Sequence, residues 1–255
     1  MIEKYGKAFS NAKINRTPKW IDDAIKRCKN EAEKFAKKER KNLTQCPMCE
    51  SGDRVEYVEV YGFHYVECQN CGNLYLRDPI LNTSELYTND GSESPNDSVY
   101  LSDEAFFSRL ENIIKPKISF INEVARAENI SGTWLDLGSG GGDCLYAARE
   151  LGYKIKGYES DLKAVSFANC KLGGDVVKEG FLDIDNCEEG LREAIYGADI
   201  ISFFNVLEHL DNPKDTIEFF AKNMKKDALL VIEVPQHNCL SSLANLCAND
   251  RIDIV

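Results

Sequence analysis

The sequence predicts an α/β protein: an open parallel sheet of five strands with helices on its faces, preceded by a small cysteine-knuckle domain. Three observations carry this. Leu135-Asp136-Leu137-Gly138-Ser139-Gly140-Gly141-Gly142-Asp143 is an apolar run that ends in an acid and turns at once into a glycine-rich loop. Apolar segments then recur at residues 154–158, 175–177, 200–204 and 228–235, alternating with amphipathic stretches, as βαβ units require. Upstream, Cys46-x-x-Cys49 and Cys68-x-x-Cys71 stand 18 residues apart.

In chain order, residues 1–43 form a basic segment. Through position 45 there are 13 Lys and Arg against 6 Asp and Glu, a net of +7, whereas the remaining 210 residues carry a net of −18. Such an acidic body repels phosphates and argues against broad nucleic-acid binding. Trp20, Ile21, Ala24, Ile25, Cys28, Ala32 and Phe35 recur at helical spacing, which predicts an amphipathic helix over residues 18–43 with a solvated Lys/Glu face. A nucleic-acid arm is the competing reading of the same charges.

Residues 44–82 form the knuckle domain. Two C-x-x-C pairs at this separation match a structural zinc site, with Cys46, Cys49, Cys68 and Cys71 as ligands. Four thiolates leave no open coordination position, so the ion is expected to be structural. Residues 55–66, rich in β-branched and aromatic side chains, read as a hairpin between the knuckles. No apolar signal region opens the chain, which makes disulfides a poor alternative and the cytoplasm the expected compartment. No apolar run approaches the ~18 residues of a membrane span. The other six cysteines (28, 144, 170, 187, 239, 247) are expected to be buried thiols. Residues 83–115 read as a linker or lid followed by a helix, with Tyr87 and Tyr100 as candidate acceptor-side residues.

Residues 116–255 hold the sheet domain. Its strand–glycine loop–helix entry lets a cofactor lie on the backbone, where a Cβ would block the approach. A dinucleotide fingerprint, G-x-G-x-x-G, needs a third glycine where this chain has Asp143, whose carboxylate would repel a pyrophosphate. The pattern present is D-x-G-x-G-x-G, on Asp136, Gly138, Gly140 and Gly142. Glu159, 21 residues after Gly138 at the end of the second strand, is placed to accept both hydroxyls of a ribose. A segment at residues 205–213, Asn205-Val-Leu-Glu208-His209-Leu-Asp-Asn-Pro213, follows the fourth strand and points two titratable groups at the crevice.

The glycine loop resembles that of the class I S-adenosylmethionine (SAM) methyltransferases, and V-L-E-H-L-x-x-P resembles the segment after strand four in a bacterial, UbiG-like branch of them. The resemblance covers residues 134–235. The phrase Cys68-x-x-Cys71-Gly72-x-x-Tyr75-Leu76 before such a core is similar to the layout of sugar C-methyltransferases. It implies a Rossmann-like sheet in the order 3-2-1-4-5 and SAM held by Asp136, Gly138, Ser139, Gly140, Gly142, Glu159, Leu182 and Asn205. The acids Asp136 and Asp143 suit the cationic cofactor. In this family the loop at residues 180–183 flanks the adenine, but Phe181 stands where an acid is aligned and Asp183 lies two residues later. Only 20 residues follow Pro235, so the closing strands of the fold are expected to be missing.

The implied reaction is in-line transfer of a methyl group to a small molecule, a sugar or nucleotide-sugar. His209, ordinarily titrating near ~6.5, is the candidate general base, with Glu208 as its orienting partner. An RNA- or protein-directed methyltransferase, a SAM-binding protein without activity and an NAD-dependent oxidoreductase remain the alternatives. The acceptor atom and the oligomeric state are not fixed by the sequence.

Overall fold

The computed structural model describes residues 16–81 and 100–239. The linker with Tyr87, most of the expected C-terminal elements and Cys247 lie outside these residues.

Helix α1 (Pro18–Phe35) starts where Thr17 Oγ1 accepts from the Trp20 N–H at 3.2 Å and Pro18 occupies the first turn. It ends at Phe35, short of the expected residue 43. The apolar period lapses there, and the following chain pairs with residues 77–80 through Lys41 N–H to Pro79 O and Leu43 N–H to Arg77 O, each 2.8 Å. Strands β1 (Arg54–Val60), β2 (Phe63–Cys68) and β3 (Leu74–Leu76) form an antiparallel sheet in sequence order. The expected hairpin is present, turned by Tyr61 and Gly62, both at positive φ as a primed two-residue turn requires.

Helix α2 (Asp103–Arg109) runs through a π turn (Leu110–Ile114) into α3 (Lys115–Ala127). The wide turn directly precedes Pro116, which has no N–H to donate and whose ring would clash with the carbonyl four residues back in a regular helix. The sheet domain follows: β4 (Thr133–Leu137), α4 (Asp143–Glu150), β5 (Lys154–Glu159), α5 (Leu162–Leu172), β6 (Val177–Glu179), α6 (Glu189–Gly197), β7 (Ile200–Phe204), α7 (Pro213–Asn223) and β8 (Leu229–Glu233). Pairing is parallel throughout, in the order β6-β5-β4-β7-β8, the expected 3-2-1-4-5 when counted from β4.

Trp134, Leu135, Ile200, Ile201 and Phe203 are fully buried, as central strands covered on both faces should be. One side packs on α2 to α5 and the other on α6 and α7. Three expectations need correction. β6 begins at Val177, because the Asn169 side chain takes the N–H groups of Val176 and Val177 at 2.9 and 2.8 Å and holds Val176 out of the ladder. β8 is only half-buried and Ile232 is exposed, because β7 is its one neighbour among the described residues. On α7 the buried side chains are Thr216 and Phe220, while Ala221 faces solvent.

All five strands deliver their carboxyl ends, from Leu137 to Glu233, to one edge. Open α/β sheets place their ligand crevice at that edge.

Candidate active site and candidate metal centre

The loop after β4 is fixed by its neighbours. The N–H groups of Gly138 and Ser139 both donate to the Tyr158 carbonyl, at 2.9 and 3.1 Å. Gly138 has φ +67, and a Cβ on it would meet Val206 Cγ2 at 2.4 Å, so the turn after β7 and the loop after β4 approach as closely as glycine allows. Gly140 has φ +51, with open space where its Cβ would point. Glu159 joins β5 to this loop. Its Oε2 accepts from the Gly140 N–H at 2.7 Å, and its Oε1 accepts from the Asp161 N–H at 3.0 Å and the Ser160 hydroxyl at 3.3 Å. A carboxylate has about four acceptor directions, so capacity remains on the cleft side.

A cleft opens there. Of the residues expected from sequence, Gly138, Glu159, Leu182, Asn205 and His209 line it. Ser160, Phe181, Val206 and Leu210 line it as well; spacing from the motifs gave no signal for the last two. Asp136, Ser139, Gly142 and Glu208 stand behind the lining. Asp136 is buried under the loop, where Ser202 Oγ donates to Oδ1 at 2.5 Å and in turn accepts from Trp134 Nε1 at 2.8 Å. Burial pushes its carboxyl up to about 7. Ser139 Oγ is buried with no partner among the described residues, and Gly142 caps α4 at φ 79.

The expectation that Asp143 meets a cationic cofactor is corrected. Arg109 Nε and one terminal nitrogen both donate to its Oδ2, at 3.1 and 2.9 Å, so its charge is taken up by α2. Asp183 is also committed elsewhere: its carboxylate takes the N–H groups of Asp185 and Asn186 at 3.0 and 3.1 Å, leaving Phe181 and Leu182 at the cleft. Tyr100 is not part of the lining. Its ring lies beneath the Arg109 guanidinium at 4.6 Å, and its hydroxyl accepts from Arg16 at 2.7 Å.

The turn after β7 is shaped by Asn205. At φ 56 this residue donates its N–H to the Glu233 carbonyl at 2.9 Å, and the Glu233 carboxylate is held by Lys117 at 2.7 Å. A short 3₁₀ turn (Leu207–His209) then carries both candidate catalytic groups. Glu208 is buried, Oε2 has no hydrogen-bond partner among the described residues, and burial raises its carboxyl to about 7. Burial also pushes His209 down to about 4, well below the ordinary value expected from sequence. The two side chains stand 4.0 Å apart, from His209 Nε2 to Glu208 Oε1.

In the ribbon, Cys46, Cys49, Cys68 and Cys71 place their sulfurs within 4.8 Å of one another. The pairs Cys46–Cys71 and Cys49–Cys68 lie at 3.7 and 3.5 Å. A tetrahedron with zinc–sulfur bonds of about 2.3 Å has edges of about 3.8 Å, so the cluster fits the ion. Each knuckle is closed by an N–H four residues past its first cysteine: Glu50 to Cys46 O and Gly72 to Cys68 O, both 2.9 Å. The remaining described cysteines are less uniform than expected. Cys144 is buried, Cys28, Cys187 and Cys239 are partly so, and Cys170 is exposed because it falls on the outer face of α5.

The parallel sheet, the glycine loop and the acid at the end of its second strand define a nucleoside-cofactor-binding α/β domain. Residues 108–251, more than half of the chain, match the family model described as a methyltransferase domain, and the chain belongs to that family. It is 26% identical over 149 residues to the mitochondrial ubiquinone biosynthesis O-methyltransferase of Schizosaccharomyces pombe, which covers 57% of this chain and 54% of that protein. The chain thus spans about half the length of the curated relative it matches. Among solved structures, a SAM-dependent methyltransferase from Clostridium acetobutylicum is 18% identical, covering 49% of this chain and 52% of its own, with a TM-score of 0.41. DesVI of Streptomyces venezuelae is 16% identical, covering 56% and 59%, with a TM-score of 0.44. No helix among the described residues is long and apolar enough to cross a membrane.

Proposed function

We propose that this protein is a SAM-dependent methyltransferase acting on a hydroxyl-bearing small molecule, a sugar or nucleotide-sugar, with a structural zinc ribbon in a reducing, cytoplasmic setting. The observation that carries the reading is Glu159, one carboxylate that holds the Gly140 N–H and lines the cleft. In this reading its free acceptor directions take the ribose hydroxyls, Phe181 and Leu182 cover the adenine, and the open space at Gly140 admits the methionyl part. Bound SAM supplies a methyl group already activated on a sulfonium.

The chain's own residues position the acceptor and remove its proton. His209 reaches the cleft in its neutral form at all pH values above about 4, ready to accept a proton through a ring nitrogen. Its burial makes it a weaker base than an ordinary imidazole. Glu208, ionising near 7, stabilises the imidazolium that forms.

The test is calorimetric titration of SAM into the zinc-loaded protein, followed by turnover with nucleotide-sugars. Glu159→Ala should abolish SAM binding. His209→Ala should keep SAM affinity within about two-fold and lose turnover by ~100-fold or more, the scale of general-base catalysis. With His209 as the base, kcat/KM at saturating SAM should keep its acid limb near pH 4. A limb near 7 that disappears in Glu208→Gln would transfer the base role to Glu208. Retention of SAM affinity by Glu159→Ala would overturn the cofactor site.

A further inference from the structure

The ribbon touches the sheet domain where the turn after β7 leaves the cleft. Lys41 Nζ lies 3.6 Å from Asp211 Oδ1, two residues past His209, and Glu50 Oε1 lies 2.6 Å from Lys214 Nζ in the first turn of α7. Just past β8, His237 Nε2 stands 3.7 Å from Glu67 Oε1, and its ring meets Tyr57 edge-on at 5.6 Å. The ribbon ends of these contacts adjoin the thiol knuckles: Glu50 follows Cys49, and Glu67 precedes Cys68.

The two knuckles differ at one informative position. Four residues past its first cysteine, the second knuckle uses Gly72 at φ 73, and the first uses Glu50 at φ 61. A left-handed backbone suits glycine and strains any residue with a Cβ. Glu50 is largely exposed, so burial does not explain it; its carboxylate is spent on Lys214. An exposed ion pair adds little to stability, but it holds two segments in one geometry.

We propose that Glu50 and Lys41 are positioning residues for the Glu208–His209 turn, so that closure of the knuckles around their ion sets the shape of the cleft. This rests on reading the cleft as the SAM site. The ion itself stays structural, and its effect travels through the first knuckle to Lys214 and through Lys41 to Asp211.

The experiment compares the zinc-loaded parent with Glu50→Gln, Lys214→Met and the double variant, after metal analysis and thermal melting verify that each is loaded and folded. SAM affinity is measured by calorimetry, and the His209 ring-proton signal by NMR, assigned with His209→Gln. Each single variant should weaken SAM about two- to five-fold and shift the His209 signal, with the double variant no worse than either single. Removing zinc by chelation should shift the His209 signal in the parent and much less in the double variant. Single variants identical to the parent in both readouts, or an equal response to chelation in parent and double variant, overturn the proposal. Should Glu50→Gln fail to load zinc, Lys41→Met and Asp211→Asn repeat the test on the other pair. A parent that binds no SAM overturns the cofactor reading instead, and the His209 signal still decides the positioning role.

Discussion

The ribbon and the sheet domain enclose very different cores. Around the thiols, the ribbon buries Val66 and Tyr75, with Leu43 and Met48 at the margin, and a second small cluster gathers Val60, Tyr65 and Leu74. The sheet domain buries Trp134, Phe106, Phe203 and Phe220 among the largest of many fully enclosed side chains. A core of the first size does not repay the chain entropy of ordering some forty residues, and a core of the second size does. One region therefore depends on a cross-link made by four atoms, and the other on distributed burial. Single substitutions separate the two.

The largest effect is expected from Cys68→Ser. Structural zinc contributes an apparent ~10 kcal/mol or more to the folding of small zinc domains, and losing one thiolate forfeits most of it. Metal analysis should show zinc falling from one ion per chain to none. Amide exchange should become fast at Val66 and Tyr75 while Leu135 and Ile201 stay protected. Loss of protection in β4 and β7 as well would mean that the two regions unfold as one unit, and the contrast would fail.

Next is Ser202→Ala in the sheet domain. Ser202 is the hinge of a buried chain of hydrogen bonds from Trp134 through its hydroxyl to Asp136. Removing it strands a buried indole N–H and a buried carboxyl, which costs about 1–3 kcal/mol. Urea unfolding followed by tryptophan fluorescence should register this as a lower midpoint with zinc retained. The pH dependence sharpens the test. Asp136 is raised by burial, so its protonated form is the one the fold favours; stability attached to it is greatest below its unfolded value and falls as pH rises through about 7. Asp136→Asn should flatten that alkaline decline.

The two regions were also unequally legible in the sequence. The knuckles could be read residue by residue, because metal ligation fixes side-chain identity and spacing together. In the sheet, the five strands and their order followed from apolar periodicity and the glycine loop. Edges were less legible: the start of β6 depends on the Asn169 side chain, eight positions upstream, and the exposure of β8 depends on having one neighbour. In the site, Glu159 and Gly138 stand at the cleft because a strand end and a close backbone approach dictate them locally. Asp143 and Asp183 were misjudged because their partners, Arg109 from α2 and the Asn186 turn, are tertiary or local hydrogen bonds that spacing does not encode. The depressed His209 has the same cause, since burial is a property of the assembled turn.

The smallest effect falls where the two regions meet. Glu50→Gly would replace the one left-handed residue in the knuckles that carries a Cβ with the residue the second knuckle already uses. Relief of the left-handed strain should contribute about 1 kcal/mol. Against it stand the added freedom of glycine in the unfolded chain, about 0.5–1 kcal/mol, and the lost exposed pair with Lys214, below about 1 kcal/mol. These terms nearly cancel, so the thermal midpoint and the zinc content should hardly move. The His209 signal and the SAM affinity should still respond, because strain relief offsets the missing contact energetically but does not rebuild it. A knuckle with unchanged stability and a displaced turn would separate what holds the ribbon together from what it holds in place; a more stable knuckle with an unmoved turn would return Glu50 to the surface.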